Sequence, residues 1–232
     1  MNIVESIYGN ALRYSFAFLN PFKKLIIETQ CEVHKFINHQ ALEILKNEFY
    51  MDKYYFYHHF IYDINEGAVW ADQDFKSSNH FYNPRTEKGL YGRRNAMDLS
   101  LEYLEKCCSL IKIGDYHRAM FYFGATLHLI QDMTIPQHAN VRLLDNHRQY
   151  ENFIKKTYQH MDEFKAETGA YQLNCLQKYM KFNARVAMKI YRKFKSIKED
   201  KERFYKMTAC ILPLAERTTA GFMIHFFNRQ FQ

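Results

Sequence analysis

Four histidines in this chain are each followed, four residues later, by an aspartate or a glutamate. On an α-helix this spacing places both side chains on one face, with Cβ atoms about 5–6 Å apart, which suits a single metal ion. With 11 histidines and 25 acidic residues among 232, about one such pair is expected by chance. The four pairs are His39/Glu43, His59/Asp63, His128/Asp132 and His147/Glu151.

The third and fourth pairs lie in one stretch of the chain and are separated by a segment that contains Pro136 and His138. The proline predicts that one helix ends and the chain turns back before the next helix begins. Three imidazoles and two carboxylates would then lie close together, and these groups are usual ligands of zinc. The density of ligands favours a metal site, and the alternative is a set of polar helix-surface residues with a capping histidine.

The first two pairs are interpreted as solvated pairs on helix faces, because an isolated pair at this spacing is common there. His34 is a lone histidine near the start of a predicted helix. Such a histidine belongs to the core or the surface more often than to a metal site.

The elements that must position these residues are predicted to be helices in an all-α fold. No convincing strand pattern occurs, and eight glycines and four prolines in 232 residues favour long helices with short connections. The length suits one domain. Helices are predicted at 28–47, 49–64, 95–113, 116–133, 147–166, 171–196 and 200–229, the last kinked at Pro213.

Individual residues predict where some of the helices begin and end. Gly114 suits a helix C-cap and Asp115 the N-cap of the next helix. The segment after Asp72, which contains His80, has the composition of a loop, where ligands and substrate contacts gather. The aromatic residues of 49–64 could form a base-stacking platform, but a helix packed against the core is favoured.

Composition excludes several classes of protein. The formal net charge of +7 is dispersed, and it suits attraction to phosphate-bearing partners or an anionic membrane as well as simple solubility. No apolar run is long enough to span a membrane, and the first residues, with an early Glu5 and no basic region, do not predict a signal peptide. Five cysteines make a disulfide framework unexpected, and Cys108 is predicted to pack as a small hydrophobe.

Six segments resemble the bacterial zinc-dependent phospholipases C, which share a fold and a three-zinc cluster with the S1/P1-type nucleases. The metal-binding core of that family is matched by FYFGATLHLIQDMTIPQHAN (121–140) and HRQYENF (147–153). The first ligand helix is matched by VHKFINHQALEIL (33–45), the next two ligand loops by GAVWAD (67–72) and NHFYNP (79–84), and the closing helix by RTTAGFMIHFF (217–227).

The resemblance implies a single compact multi-helix domain with a multi-zinc cluster in a cleft. The phospholipase C-like domain would cover residues 28–232, and residues 1–27 would be an N-terminal extension with a helix over 3–19 and no assigned role. Two or three zinc ions are implied. One would be held by Asp72, His80, His128 and Asp132, a second by His138, His147 and Glu151, and a third by His34 with a shared Asp132.

The third site departs from the family pattern. In the family its remaining ligands come from the amine and carbonyl of an N-terminal tryptophan, whereas the one tryptophan of this chain is Trp70. The site at His34 is therefore predicted to be weak or remodelled. Glu28 or Cys31 could substitute from the same helix, although Cys31 as a buried hydrophobe is favoured.

The implied reaction is hydrolysis of a phosphoric ester, with Asp72 orienting or deprotonating the attacking water. A phospholipase C that acts on glycerophospholipids and makes transient contact with a membrane surface is favoured. One alternative is an S1/P1-like single-strand nuclease or phosphatase, the only case with a nucleic-acid partner, and another is a zinc-stabilised helical module without activity. The family is largely exported, but no compartment or oligomeric state is assigned.

The resemblance also bears on the lipid head group. Family members that act on choline lipids hold the quaternary ammonium with aromatic rings and a carboxylate. Two of the aromatic positions are here Gln73 and Ser77, so little preference for phosphatidylcholine is predicted. Trp70, Tyr82 or Tyr91 could supply a replacement ring.

Overall fold

The computed structural model describes residues 31–73, 76–90, 94–142 and 146–231. These residues form helices joined by short turns, with no strand among them beyond an isolated bridge between Asn83 and Lys88, so the all-α prediction is confirmed. The α-helices are α1 (Glu32–Asn47), α2 (Met51–His59), α3 (Ile61–Ala71), α4 (Ala96–Lys112), α5 (Tyr116–Asp132), α6 (Pro136–Asn140), α7 (His147–Thr157), α8 (Leu176–Phe194) and α9 (Asp200–Phe231). The segments Lys76–Asn79 and Asp162–Phe164 form 3-10 turns.

Helix α5 lies at the centre of the bundle, and every residue from 123 to 132 is buried. A helix that is buried on all sides must be covered by several neighbours. Helices α3 and α4 make the most extensive contacts with α5, and α8 and α9 also pack against it. The predicted cap is present, since the Asp115 side chain accepts a hydrogen bond from the Arg118 N–H at 3.2 Å.

Two glycines allow α3 and α5 to cross at backbone contact. A Cβ added to Gly67 would collide with the carbonyl oxygen of Phe121, and one added to Gly124 would collide with that of Ile64. Any larger residue would push the helices apart, because packed interiors have no spare volume. The crossing holds the C-terminal end of α3, which Asp72 follows, beside the last turns of α5.

Buried hydrophobic side chains form two clusters, and α9 contributes to both. The larger cluster surrounds α5, and the smaller one packs α7 and Phe164 against the N-terminal half of α9. Helix α9 contains Pro213 and continues past it to Phe231. No helix of the described residues combines the length and apolarity needed to cross a bilayer.

Three predicted helices differ from the observed ones, and the helix predicted over 171–196 begins only at Leu176. Residues 49–64 do not form one helix, because Phe60, with φ −102° and ψ 12°, separates α2 from α3. The helix predicted over 147–166 ends at Thr157. Beyond that end Phe164 is fully buried, and the Ala166 N–H donates to the Glu216 carboxylate at 2.5 Å, whereas a continued helix would bond this N–H to its own backbone.

Smaller differences concern the segments around the predicted ligands. The stretch GAVWAD does not form a loop, since residues 67–71 are the end of α3 and only Asp72 lies beyond it. All five cysteines lie in the described residues and are free. Cys108 packs against the core, as predicted, and its neighbour Cys107 is fully buried. The predicted N-terminal extension over 1–27 and Glu28 lie outside the described residues.

Candidate metal centre

The eight ligands predicted from the sequence converge at one end of the helical bundle. Several helix ends meet there, which lets side chains from distant parts of the sequence face one another. His34 lies in the first turn of α1, Asp72 follows α3, His80 follows the first 3-10 turn, His128 and Asp132 lie in the last turns of α5, His138 lies in α6, and His147 and Glu151 lie in the first turns of α7.

Asp132 is the centre of the larger group. Its Oδ2 lies 2.7 Å from His80 Nδ1 and 3.2 Å from His128 Nε2. The same oxygen lies 3.6 Å from His138 Nδ1, and Oδ1 lies 3.6 Å from His34 Nε2. One buried carboxylate therefore faces four imidazole rings.

The second group is formed by His138, His147 and Glu151. The Nε2 atoms of His138 and His147 are 3.0 Å apart. Glu151 Oε1 lies 2.8 Å from His147 Nε2 and 3.6 Å from His138 Nε2. The (i, i+4) spacing thus places His147 and Glu151 on one face of α7, as the sequence predicts.

Backbone carbonyl groups fix the tautomers of two of these histidines. A carbonyl oxygen only accepts, so His80 donates from Nε2 to Ala71 O at 3.1 Å, and His138 donates from Nδ1 to His80 O at 3.1 Å. In the neutral rings the lone pairs are then on His80 Nδ1 and His138 Nε2. The His80 Nδ1 atom faces Asp132, and the His138 Nε2 atom faces Glu151. A donated hydrogen bond on one ring nitrogen and a lone pair directed at other ligands on the second is the usual arrangement of a metal-binding histidine.

A chain of amide side chains fixes His34 in the same way. His34 Nδ1 lies 2.7 Å from Gln131 Oε1. The Gln131 amide nitrogen donates to Asn38 Oδ1 at 2.8 Å and to Thr219 Oγ1 at 3.2 Å, which identifies Oε1 as its acceptor atom. His34 therefore donates from Nδ1, and its Nε2 lone pair faces Asp132.

Burial and charge shift the pKa values of the cluster. Burial opposes ionisation of Asp132, but His128 and His138 hold its pKa well below the ordinary value. Burial also opposes protonation of His138, yet Asp132 and Glu151 raise its pKa to about 9. Burial, together with His128, lowers the pKa of His34 to about 4. Asp132 is therefore anionic at neutral pH, and its negative charge attracts cations to the centre of the cluster.

The donor atoms fit zinc. In each of three groups the ligand atoms lie within 4.8 Å of one another, and all are imidazole nitrogens or carboxylate oxygens. His128 Nδ1 is buried and has no hydrogen-bond partner among the described residues, a costly arrangement that a bound cation nearby would help to explain. The groups are His34/His128/Asp132, Asp72/His80/His128 and His138/His147/Glu151.

The two remaining histidine–acid pairs lie away from this cluster. His39 and Glu43 are both exposed on α1. His59 is exposed, and Asp63 faces His117 at 2.9 Å instead. Within the described residues neither pair belongs to a group that could hold a metal, which agrees with their interpretation as solvated pairs.

Three supporting residues were not predicted from the sequence. Gln131 and Asn38 orient His34, and Phe81 stacks on His138 with ring centroids 4.7 Å apart. One signal was available, since Asn38 and Gln131 are polar residues within otherwise buried helix faces. Their partners are nearly a hundred residues apart in sequence, so the contact itself was not predictable.

A family model described as zinc-dependent phospholipase C matches residues 33–209. The chain belongs to this family. The matched range contains all eight residues of the cluster and most of the helices that position them. Membership of the zinc-dependent phospholipases C identifies zinc as the metal for which the cluster is suited.

Three proteins to which the chain is similar come from Clostridium. A phospholipase C from Clostridium novyi is 23% identical, over 83% of this chain and 58% of that protein. The alpha toxin from Clostridium absonum has a TM-score of 0.73 and 19% identity, over 87% of this chain and 64% of the toxin. The alpha-toxin of an avian strain of Clostridium perfringens has a TM-score of 0.72 and 18% identity, over 88% and 65%. The chain thus spans less than two thirds of the length of these relatives.

Proposed function

We propose that this chain is a zinc-dependent phosphodiesterase of the phospholipase C type that hydrolyses glycerophospholipids. The observation that supports it most is the orientation of the histidines, since hydrogen bonds behind the rings turn the lone pairs of His34, His80 and His138 towards the carboxylates. One zinc would be held by Asp72, His80, His128 and Asp132, and another by His138, His147 and Glu151.

When bound, zinc supplies Lewis-acid polarisation of phosphoryl oxygens and increases the acidity of water. The residues themselves contribute position and charge. Asp132 is buried among four imidazoles and anchors the cluster. Asp72 is only half-buried, and its ligand atom lies within 4.8 Å of those of His80 and His128. A carboxylate in that position is suited to orient a water molecule and to accept its proton.

The exposure of the second group supports catalysis over a purely structural role. Structural zinc sites are closed by four protein ligands, whereas catalytic sites keep a position open. The side chain of Asp132 is 6% exposed, but that of His147 is 13% exposed and that of Glu151 is 39% exposed. A phosphate group can therefore approach these ligands from solvent.

The test combines metal analysis with assays on three substrates: mixed micelles of glycerophospholipid, single-stranded DNA and a simple aryl phosphate. We expect release of diacylglycerol from the lipid, dependent on zinc and lost in Asp72→Asn. A zinc-loaded, folded protein that cleaves none of the three would refute enzymatic function. A higher kcat/KM on single-stranded DNA than on lipid would identify a nuclease instead.

We also propose that the enzyme has little preference among head groups. Gln73 offers no aromatic face. Tyr82, one replacement considered from the sequence, is 2% exposed, and the ring of Trp70 packs against Tyr103 and Phe121 with centroids 5.4 Å away in both cases. Both rings are thus engaged in the core, and Tyr91 lies outside the described residues.

Matched vesicles that differ only in head group test this proposal. Each desolvated ring over a quaternary ammonium contributes about 1–2 kcal/mol, or about tenfold in discrimination. We expect kcat/KM for phosphatidylcholine within about tenfold of the values for ethanolamine, serine and inositol lipids. A preference above about a hundredfold would require a rebuilt choline pocket.

A further inference from the structure

Three side-chain amides connect α3 to the metal cluster. Asn65 of α3 accepts a hydrogen bond at Oδ1 from the Asn38 amide nitrogen at 2.9 Å. Asn38 Oδ1 in turn accepts from the Gln131 amide nitrogen at 2.8 Å, and Gln131 Oε1 accepts from His34 Nδ1 at 2.7 Å. Asn38 lies four residues after His34 in α1, a spacing that places both side chains on one face of the helix. A continuous chain of hydrogen bonds therefore runs from α3, through α1 and α5, to a proposed zinc ligand.

This chain of amides has a direction, because an amide accepts at its oxygen and donates at its nitrogen. Each amide oxygen faces the residue that is nearer to His34. If one amide turned over alone, two oxygens or two N–H groups would face each other. Water cannot separate them, because Asn38 and Gln131 are 0% and 1% exposed. The Thr219 hydroxyl, the second acceptor for the Gln131 nitrogen, can also donate, so it fits both directions.

Asp132 acts on His34 in the opposite sense. Its Oδ1 lies 3.6 Å from His34 Nε2, and a carboxylate favours a proton on the nitrogen that faces it. A neutral ring with its proton on Nε2 would have no lone pair there for a metal ion. The amide chain instead offers an acceptor to Nδ1 and keeps the proton on that nitrogen. The tautomer of metal-free His34 therefore depends on the direction of the amide chain.

We propose that Asn65 is a positioning residue for His34, which sets the direction of the amide chain and thereby keeps the lone pair of His34 on Nε2. The consequence for zinc binding rests on the proposed function. Without an acceptor at residue 65, the buried Asn38 nitrogen would have no partner. Asn38 and Gln131 would then turn over together, so that Asn38 donates to Gln131 and the Gln131 nitrogen donates to His34 Nδ1. The proton of His34 would move to Nε2, where Asp132 accepts it.

The outer end of the chain is accessible to water. Asn65 is half-buried, and its amide nitrogen lies 3.4 Å from Nε2 of the exposed His39. This distance is longer than that of most hydrogen bonds, so water can replace the contact. The oxygen of Asn65, and not the ring of His39, therefore holds the chain in its observed direction.

Long-range proton–nitrogen NMR correlations provide the direct test, because they show which ring nitrogen of a histidine carries the proton. The full chain is stripped of metal and measured at neutral pH, with His34→Gln used to assign the His34 signals. We expect the Nδ1–H tautomer in the unmutated protein, in His39→Ala and in Asn65→Asp, whose carboxylate still accepts from Asn38. Asn65→Leu, which is similar in size but has no acceptor, should shift His34 towards the Nε2–H tautomer. Asn65→Val, which is smaller and also has no acceptor, replaces Asn65→Leu if leucine prevents folding.

Zinc binding in competition with a chelator measures the consequence for the metal. We expect Asn65→Leu to bind the ion held through His34 about tenfold more weakly, and Asn65→Asp to bind it as the unmutated protein does. A residue that only fills space would tolerate leucine as well as aspartate. The contrast between these two variants therefore separates positioning from packing.

An Nε2–H tautomer in the unmutated metal-free protein overturns the proposal, as does an unshifted Nδ1–H tautomer in the folded variant that lacks the acceptor. If the unmutated protein still binds zinc and releases diacylglycerol, only the role of Asn65 has failed. The NMR measurement needs no zinc, so it also stands apart from the proposed function. A shifted tautomer in a chain that binds no zinc would support the positioning of His34 and refute the proposed function.

Discussion

The orientation of three histidines in this site is set by hydrogen bonds from the ring nitrogen that faces away from the other ligands. Two histidines donate to backbone carbonyl oxygens and a third donates to a side-chain amide, so the opposite ring nitrogens face the carboxylates. Such partners raise the basicity of a ligand and restrict its rotation. The cluster is thus oriented for a cation by the protein fold itself.

The four histidine–acid pairs allow a controlled test of the ligand assignment. We expect His128→Ala and His147→Ala to reduce lipid hydrolysis more than about 100-fold, because each would remove a proposed ligand of a catalytic ion. His39→Ala and His59→Ala, which change exposed side chains at the same spacing, should stay within a few-fold of the unmutated enzyme. Equal losses in all four variants, with folding intact by circular dichroism, would contradict the assignment.

Glu216 is a buried carboxyl group in α9, away from the metal cluster. Burial raises its pKa from 4.5 to about 8, although it accepts a hydrogen bond from the Ala166 N–H. Because the folded-state pKa is the higher one, the unfolded chain loses this proton first as pH rises. The protonated Glu216 therefore makes its full contribution to the free energy of unfolding below about pH 4.5, and this contribution is lost as pH rises through about 8.

The substitution Glu216→Gln tests this pH dependence, since the amide keeps an acceptor for Ala166 N–H and cannot ionise. We expect the variant to gain stability relative to the unmutated protein between about pH 5 and 8, by at most about 1.4 kcal/mol per pH unit. Urea unfolding of both zinc-loaded proteins across that range measures the difference. Parallel pH profiles would show that Glu216 is ionised in the folded protein.

Among the elements, the crossing of α3 and α5 has the greatest influence on the site. The helices touch through Gly67 and Gly124, and the chain beyond this contact carries Asp72 on one side and His128 with Asp132 on the other. The separation of these ligands is therefore set by the helix spacing. The addition of one methyl group at the crossing should therefore change the distance between Asp72 and the pair His128 and Asp132.

Gly124→Ala tests the link between helix spacing and metal binding. The added Cβ meets the Ile64 carbonyl group, so we expect about 1–3 kcal/mol of destabilisation and weaker zinc binding in competition with a chelator. Gly114→Ala is the control, because its cost of about 1 kcal/mol comes from a φ of +79° in open space. If folded Gly124→Ala binds zinc with unchanged affinity, the spacing of α3 and α5 does not determine metal binding.

Over the whole molecule, the metal cluster joins segments that the bundle packs separately. Its proposed ligands come from α1, from the residue after α3, from the segment before α4, and from α5, α6 and α7. Bound ions that prefer the folded state stabilise it by mass action. The cluster should therefore contribute to the stability of the whole chain as well as to chemistry.

Metal removal tests this global role. At a free zinc concentration 1,000 times Kd, binding at one site adds about 4 kcal/mol to the free energy of unfolding. For a chain of this size, removal of the zinc should then lower the melting temperature by roughly 10 °C. Differential scanning calorimetry before and after chelation measures the fall, and zinc should restore it. The same treatment of His128→Ala should give a smaller fall. A melting temperature that does not respond to chelation would contradict a bound metal.

Much of the helical structure is determined by local sequence. The caps at Asn95 and Asp115 fix where two helices begin, because a side-chain oxygen satisfies backbone N–H groups two or three residues away. The (i, i+4) spacing likewise places His147 and Glu151 on one face without any tertiary contact. The family resemblance added the order of the ligands along the chain.

The tertiary structure alone decided which of these local features come together. His39/Glu43 and His128/Asp132 have the same spacing, yet only the second pair lies in a buried cluster. The end of α7 at Thr157 and the orientation of His34 by Gln131 depend on contacts between residues 50 or more positions apart. Such contacts depend on how the helices pack, and a pattern within one short segment does not contain that information.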